Sequence, residues 1–178
     1  VADAFPGRRV PEDVVVTDAG VAAVYERFGK SASQRPTIVH LGCPHASMEE
    51  MRFYAKHLRG KRVTDGVELW ITTSRNVRNA AQSEGLIATL EATGAKIVSD
   101  TCPMACHFAR TVSPDPALGV VPPQIEVVVV DSAKQAKYVR DMIQCDTLLT
   151  GTLEAIETAV TGRFVARRLA GRNRARAT

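Results

Sequence analysis

Two short segments hold most of the reactive side chains. Residues 42–47 read GCPHAS and residues 99–106 read SDTCPMAC, which brings Cys43, His45 and Cys102 to notice. Thiolates bind soft metals and iron–sulfur clusters, and imidazole suits iron and zinc. A proline follows each cysteine (Pro44, Pro103), stiffening the backbone and removing an amide donor. The plainer alternative is that both cysteines are small buried fillers at strand ends, since the spacing is not that of a local C-x-x-C pair. Cys102 and Cys106 form C-x-x-x-C, with His107 adjacent. Residues four apart share a helix face, but Cys106 and His107 read as packing residues. A zinc site from Cys43, His45, Cys102 and Cys106 would need tetrahedral closure of two distant loops. Cys145 reads as buried filler, His40 as a satisfied core histidine, and His57 as solvated. Ser74 with Arg75, and Ser132 with Lys134, stand at expected helix starts, where free amides favour a carboxylate or phosphate. Ordinary N-capping explains the serines equally well. No Walker A, GxGxxG, HExxH or G-x-S-x-G pattern is present, so common nucleotide, zincin and hydrolase readings lose support.

Those loops need elements to hold them. Apolar β-branched runs predict strands over 14–16, 37–41, 67–72, 95–98, 125–130 and 147–149. Between them lie helix signals. Thr17 and Asp18 open one that Gly29 ends. Ser47 and Glu50 form a capping box for one that stops at Gly60. Ser74 opens a long helix to Gly94, Ser132 one to about residue 143, and Thr152 one that Gly162 ends. Residues 112–124 hold four prolines and a glycine and read as a loop. Strands alternating with helices predict an α/β fold: a mostly parallel sheet with helices on both faces. In such folds ligands bind beyond the carboxyl ends of the strands, where the two reactive segments fall.

With 178 residues, 45% hydrophobic and 24% charged, the chain can build a core; it is neither disordered nor low-complexity. No apolar run suits a membrane helix, and no secretory signal is evident. A first residue of Val instead of Met suggests a lost or processed N-terminus. The net charge of +4 is concentrated at the end, where residues 163–178 carry six arginines and no acid. Removing those six leaves the rest mildly acidic. We therefore expect one domain over 1–162 and a basic, disordered tail over 163–178. Five per cent aromatic residues, with no interleaving of basic and aromatic positions, argue against nucleic acid. Four cysteines without an export signal point to a reducing cytoplasm.

The segments LGCPHASMEEM, ITTSR, SDTCP, DSAKQAKY and ETAVTGR occur in that order. Together they make the chain resemble the aconitase X family from about residue 14 to 163. The resemblance implies an aconitase-like fold and a hydro-lyase that removes water from a small hydroxy acid such as mevalonate 5-phosphate or cis-3-hydroxyproline. It implies iron or an iron–sulfur cluster, with Cys102 and Cys43 as the candidate ligands. It places Ser74, Arg75, Ser132, Lys134 and His45 toward the substrate anion. It also implies two partners, an N-terminal catalytic portion and a small swivelling subunit or domain, since this chain matches only the C-terminal part of the family's catalytic unit. Two departures stand out. Ala155 occupies a place where the family often has cysteine, and Asp131 one where asparagine is common. The absence of the family's upstream half and Ala155 motivate an alternative, a truncated or degenerate non-catalytic module of the same family.

Overall fold

A computed structural model describes residues 15–31, 33, 35–102, 125–143 and 145–167. Its elements run α1 (Asp18–Arg27), β1 (Ile38–Ala46), α2 (Met48–Leu58), β2 (Glu68–Thr73), α3 (Arg75–Ser83), α4 (Leu86–Glu91), β3 (Lys96–Ser99), β4 (Val127–Val130), α5 (Ala133–Tyr138), β5 (Asp146–Leu149) and α6 (Thr152–Thr161). The five strands form one parallel sheet in the order β3-β2-β1-β4-β5. Side chains alternate across it. Val39, Leu41, Leu69, Ile71, Val127, Val129 and Leu148 pack with α2, α4 and α6 in one cluster. Ile38, Val128, Val130 and Leu149 pack with Phe28, Ala136 and Val139 in another. Helices therefore cover both faces, and β4 is buried at all four positions because both of its sides are interior. The fold is the α/β class expected.

Several boundaries differ from the sequence reading, each for a local reason. At its described residues the strand expected over 14–16 does not form: Val15 and Val16 are 79% exposed and outside the sheet, and Val14 lies outside the described residues. Strand propensity without a neighbouring strand to pair with is not enough. The long helix expected from Ser74 to Gly94 is two helices, because Gly85 sits at φ 72° in the left-handed region and opens α4 on a new axis. The last helix is capped by Gly151, not Thr152. The Thr152 hydroxyl instead donates to Asp131 Oδ2 at 2.9 Å. After Tyr138, α5 continues as a π-helical turn over Val139–Ile143. The capping box at Ser47 and Glu50 forms as expected.

Beyond α6 the chain stays attached to the body as far as Arg167. Phe164 packs against the larger core cluster. The Val165 amide donates to the Thr158 hydroxyl at 2.9 Å, and its carbonyl accepts from the Thr150 hydroxyl at 2.7 Å. Arg167 donates to the Tyr25 hydroxyl, its guanidinium 4.8 Å from the ring centroid. On the outer side of β5, the Leu149 amide donates to the Phe28 carbonyl at 2.9 Å. Residues 168–178 of the expected tail lie outside the described residues.

Candidate functional site

β1 and β4 are neighbours in the sheet, but the helices that follow them lie on opposite faces. Their loops diverge, and a parallel sheet leaves a crevice at such a switch point. A cleft of about 550 Å³ occupies it, lined by Cys43, His45, Asp100, Cys102, Lys134 and Gln135 among others. That volume suits a small organic acid.

The β1 side of the cleft is shaped by a break in strand register between Leu41 and Ala46. Gly42 makes the break at φ 83°. A Cβ there would collide with the Thr72 carbonyl oxygen and crowd Ala46, so only glycine fits. Two threonines at the end of β2 tie down the irregular stretch. The Thr72 hydroxyl donates to the Gly42 carbonyl at 2.7 Å, and the Thr73 hydroxyl to the Ala46 carbonyl at 2.6 Å. The peptide bond between Cys43 and Pro44 is cis.

Cys43 is half-buried, and burial pushes its thiol above the ordinary value. A hydrogen bond with Ser132 and the charge of Lys134 oppose that rise, while Cys102 and Asp131 add to it. These four residues thus act electrostatically on one sulfur at the end of β1, although they come from the ends of two other strands, β3 and β4. His45 Nε2 lies 3.2 Å from the Thr101 carbonyl. A carbonyl only accepts, so Nε2 carries the proton and Nδ1 is the ring's basic atom when the imidazole is neutral. The Lys134 ammonium stands 5.9 Å from the Tyr138 ring centroid. Asp131, just past β4, has its carboxyl raised chiefly by burial, opposed by the Thr152 hydroxyl.

The structure thus brings Cys43, His45, Cys102 and Lys134 to one cleft, with Ser132 bonded to Cys43. Ser74 and Arg75 are placed differently. The Ser74 hydroxyl accepts from the Val77 amide at 3.2 Å as an N-cap. The Arg75 amide donates to Asp100 Oδ1 at 2.7 Å, and its guanidinium pairs with Asp100 Oδ2 at 2.8 Å. The carboxylate drawn to that helix start is the protein's own. The Arg75 amide and charge hold the Asp100 carboxyl below its ordinary value. Asp100 itself has φ 55°, an uncommon conformation outside glycine that aspartate tolerates better than most.

Asp100, Thr101, Gln135, Tyr138 and Met142 also line the cleft, and the sequence reading did not single them out. Asp100 and Thr101 lie inside the SDTCP loop, and Gln135 and Tyr138 are three apart on one helix face. Those were the available signals.

Among the described residues, no group of three or more His, Cys, Asp and Glu side chains converges as a metal site. Cys43 and Cys102 share the cleft and sense each other's charge. They amount to two soft donors, short of the four that a tetrahedral zinc or a common cluster takes. Cys106 and His107 lie outside the described residues. Ala155, at the position expected for a family cysteine, is fully buried in the larger core cluster.

Residues 36–161 match the family model described as the aconitase X third domain. The chain belongs to the aconitase X family. Its curated aconitase X relatives include a phosphomevalonate dehydratase large subunit from Methanothermobacter thermautotrophicus. That protein is 35% identical over 136 residues, which cover 76% of this chain and 31% of the relative. A cis-3-hydroxy-L-proline dehydratase from Pseudomonas aeruginosa is 31% identical over 163 residues, covering 92% of this chain and 26% of that protein. The crystal structure of Thermococcus kodakaraensis aconitase X in its holo-form superposes with a TM-score of 0.65 at 28% identity. It covers 82% of this chain and 34% of that one. The named relatives are dehydratases, and this chain spans a third or less of the two curated ones. Among the described residues no helix is long and apolar enough to cross a membrane.

Proposed function

We propose that this chain forms one side of the active site of an iron- or iron–sulfur-dependent hydro-lyase acting on a small hydroxy acid. The observation that carries the reading is the cleft at the β1–β4 switch point, where Cys43, His45, Cys102 and Lys134 converge. Mevalonate 5-phosphate and cis-3-hydroxyproline are the candidate substrates, by likeness to the dehydratases named above. Lys134 supplies positive charge for the substrate's anionic group. Cys102 and Cys43 supply two ligands, and the remaining ligands and the proton-abstracting base come from outside the described residues. A bound iron would act as a Lewis acid toward the leaving hydroxyl. An N-terminal catalytic portion and a small swivelling subunit or domain complete the unit, in a reducing compartment.

The test is iron and acid-labile sulfide per chain after anaerobic purification, for wild type and Cys102→Ser, alongside dehydration of both candidate acids by the complete protein. We expect Cys102→Ser to lose at least half of the bound iron and to lower turnover by two orders of magnitude or more. Unchanged iron and unchanged turnover in the variant would overturn the reading. A second reading, a non-catalytic module of the same family, is favoured by the incomplete ligand set among the described residues. It requires a stably folded protein that takes up no iron on reconstitution.

A further inference from the structure

Beneath the cleft lies a chain of buried polar side chains linked to one another. His40 on β1 is 1% exposed, Thr72 on β2 is fully buried, and Gln135 on α5 is 2% exposed. His40 Nδ1 meets the Gln135 side-chain amide at 2.8 Å, and His40 Nε2 meets the Thr72 hydroxyl at 3.2 Å. The other end of the Gln135 amide is buried and has no hydrogen-bond partner among the described residues. Gln135 also lines the cleft. A buried polar atom without a partner is costly and needs an explanation.

The inventory of protons decides which amide atom is left over. Thr72 has one hydroxyl proton, and its short 2.7 Å contact to the Gly42 carbonyl claims it. Toward His40 the Thr72 oxygen can then only accept, so Nε2 carries the imidazole proton. Burial pushes the His40 pKa down to about 4, so the ring is neutral near pH 7 and Nδ1 is bare. A bare Nδ1 needs a donor, and the donor is the Gln135 NH₂ group. The structure places Oε1 nearest Nδ1, but the two ends of an amide are nearly identical in shape, and the proton inventory assigns NH₂ to that position. The atom left without a partner is then the Gln135 carbonyl oxygen, an acceptor, buried on a residue that lines the cleft.

We propose that Gln135 accepts a hydrogen bond from the hydroxyl of the bound hydroxy acid, with His40 and Thr72 as positioning residues that hold its amide. The proposal rests on the hydroxy-acid reading above. An acceptor fixed in this way rewards a ligand that brings a hydroxyl and penalises the same acid without one. One such contact is worth about ten- to a hundredfold in affinity.

The experiment measures dissociation constants of the complete protein for cis-3-hydroxy-L-proline against L-proline, and for mevalonate 5-phosphate against its 3-deoxy counterpart. Wild type should favour the hydroxylated member of at least one pair by about ten- to a hundredfold. Gln135→Met should bring that ratio near one. If Gln135→Met keeps the ratio, the Gln135 contact is overturned while the hydroxy-acid reading stands. If wild type binds neither hydroxy acid, that reading falls and takes the contact with it. A measurement on wild type guards against a variant that fails to fold. Nitrogen NMR of His40 should show the proton on Nε2, and a proton on Nδ1 would turn the amide round and overturn the acceptor assignment.

Discussion

His40 shows how one side chain links stability to pH. It is neutral in the fold because burial lowers its pKa from 6.5 to about 4. The unfolded chain takes up a proton below about pH 6.5, while the folded chain refuses it until about 4. This contribution is therefore complete above pH 6.5 and is lost as pH falls through that window, by about 3 kcal/mol in all. His40→Gln should remove that slope. Urea unfolding at pH 7, 6, 5 and 4.5 should show the gap between wild type and His40→Gln shrinking as acid is added. A gap constant with pH would mean that His40 titrates normally. The sequence identified His40 as a satisfied core histidine because it stands in an apolar run. It could not reveal Gln135 as the partner, since the two lie 95 positions apart and meet only through packing of α5 on the sheet.

At the scale of elements, the site depends on how β1 ends. A regular strand would carry Cys43 and His45 straight off the sheet. The break at Gly42 turns them along its edge, and the β2 threonines clamp the turn. Gly42→Ala should cost about 2–4 kcal/mol, because it joins a left-handed φ to a backbone clash. Chemical denaturation should show the loss, and thiol labelling of Cys43 should speed up in the same variant. Labelling at the wild-type rate would show that the turn survives without glycine. Much of this level was legible beforehand. The capping box at Ser47, the apolar runs of β1 and β4, and the glycine stop at Gly162 are local signals, and each element formed where they stand. The rest was non-local. Gly85 as a helix break, Thr152 turned to Asp131, and the pairing of Arg75 with Asp100 depend on neighbours remote in sequence or on a single φ angle.

For the whole molecule, the order β3-β2-β1-β4-β5 explains why two cysteine loops distant in sequence share one cleft. The same order leaves β5 at a margin of the sheet, and the stretch through Phe164 and Arg167 runs beside it. Phe164→Ala should lower stability by about 1–2 kcal/mol, less than a fully buried phenylalanine because the ring is only partly covered. A melting temperature unchanged from wild type would show the stretch to be ornamental. The Leu149 amide on the outer side of β5 is already spoken for by Phe28. The opposite margin, β3, has only four residues and begins with the exposed Lys96. Exposed strand margins are where proteins recruit extra strands, and a short margin bearing a lysine discourages unwanted ones. Among the described residues, the β3 side is therefore the margin where a further strand would find free backbone groups, and its shortness and Lys96 limit how many it offers.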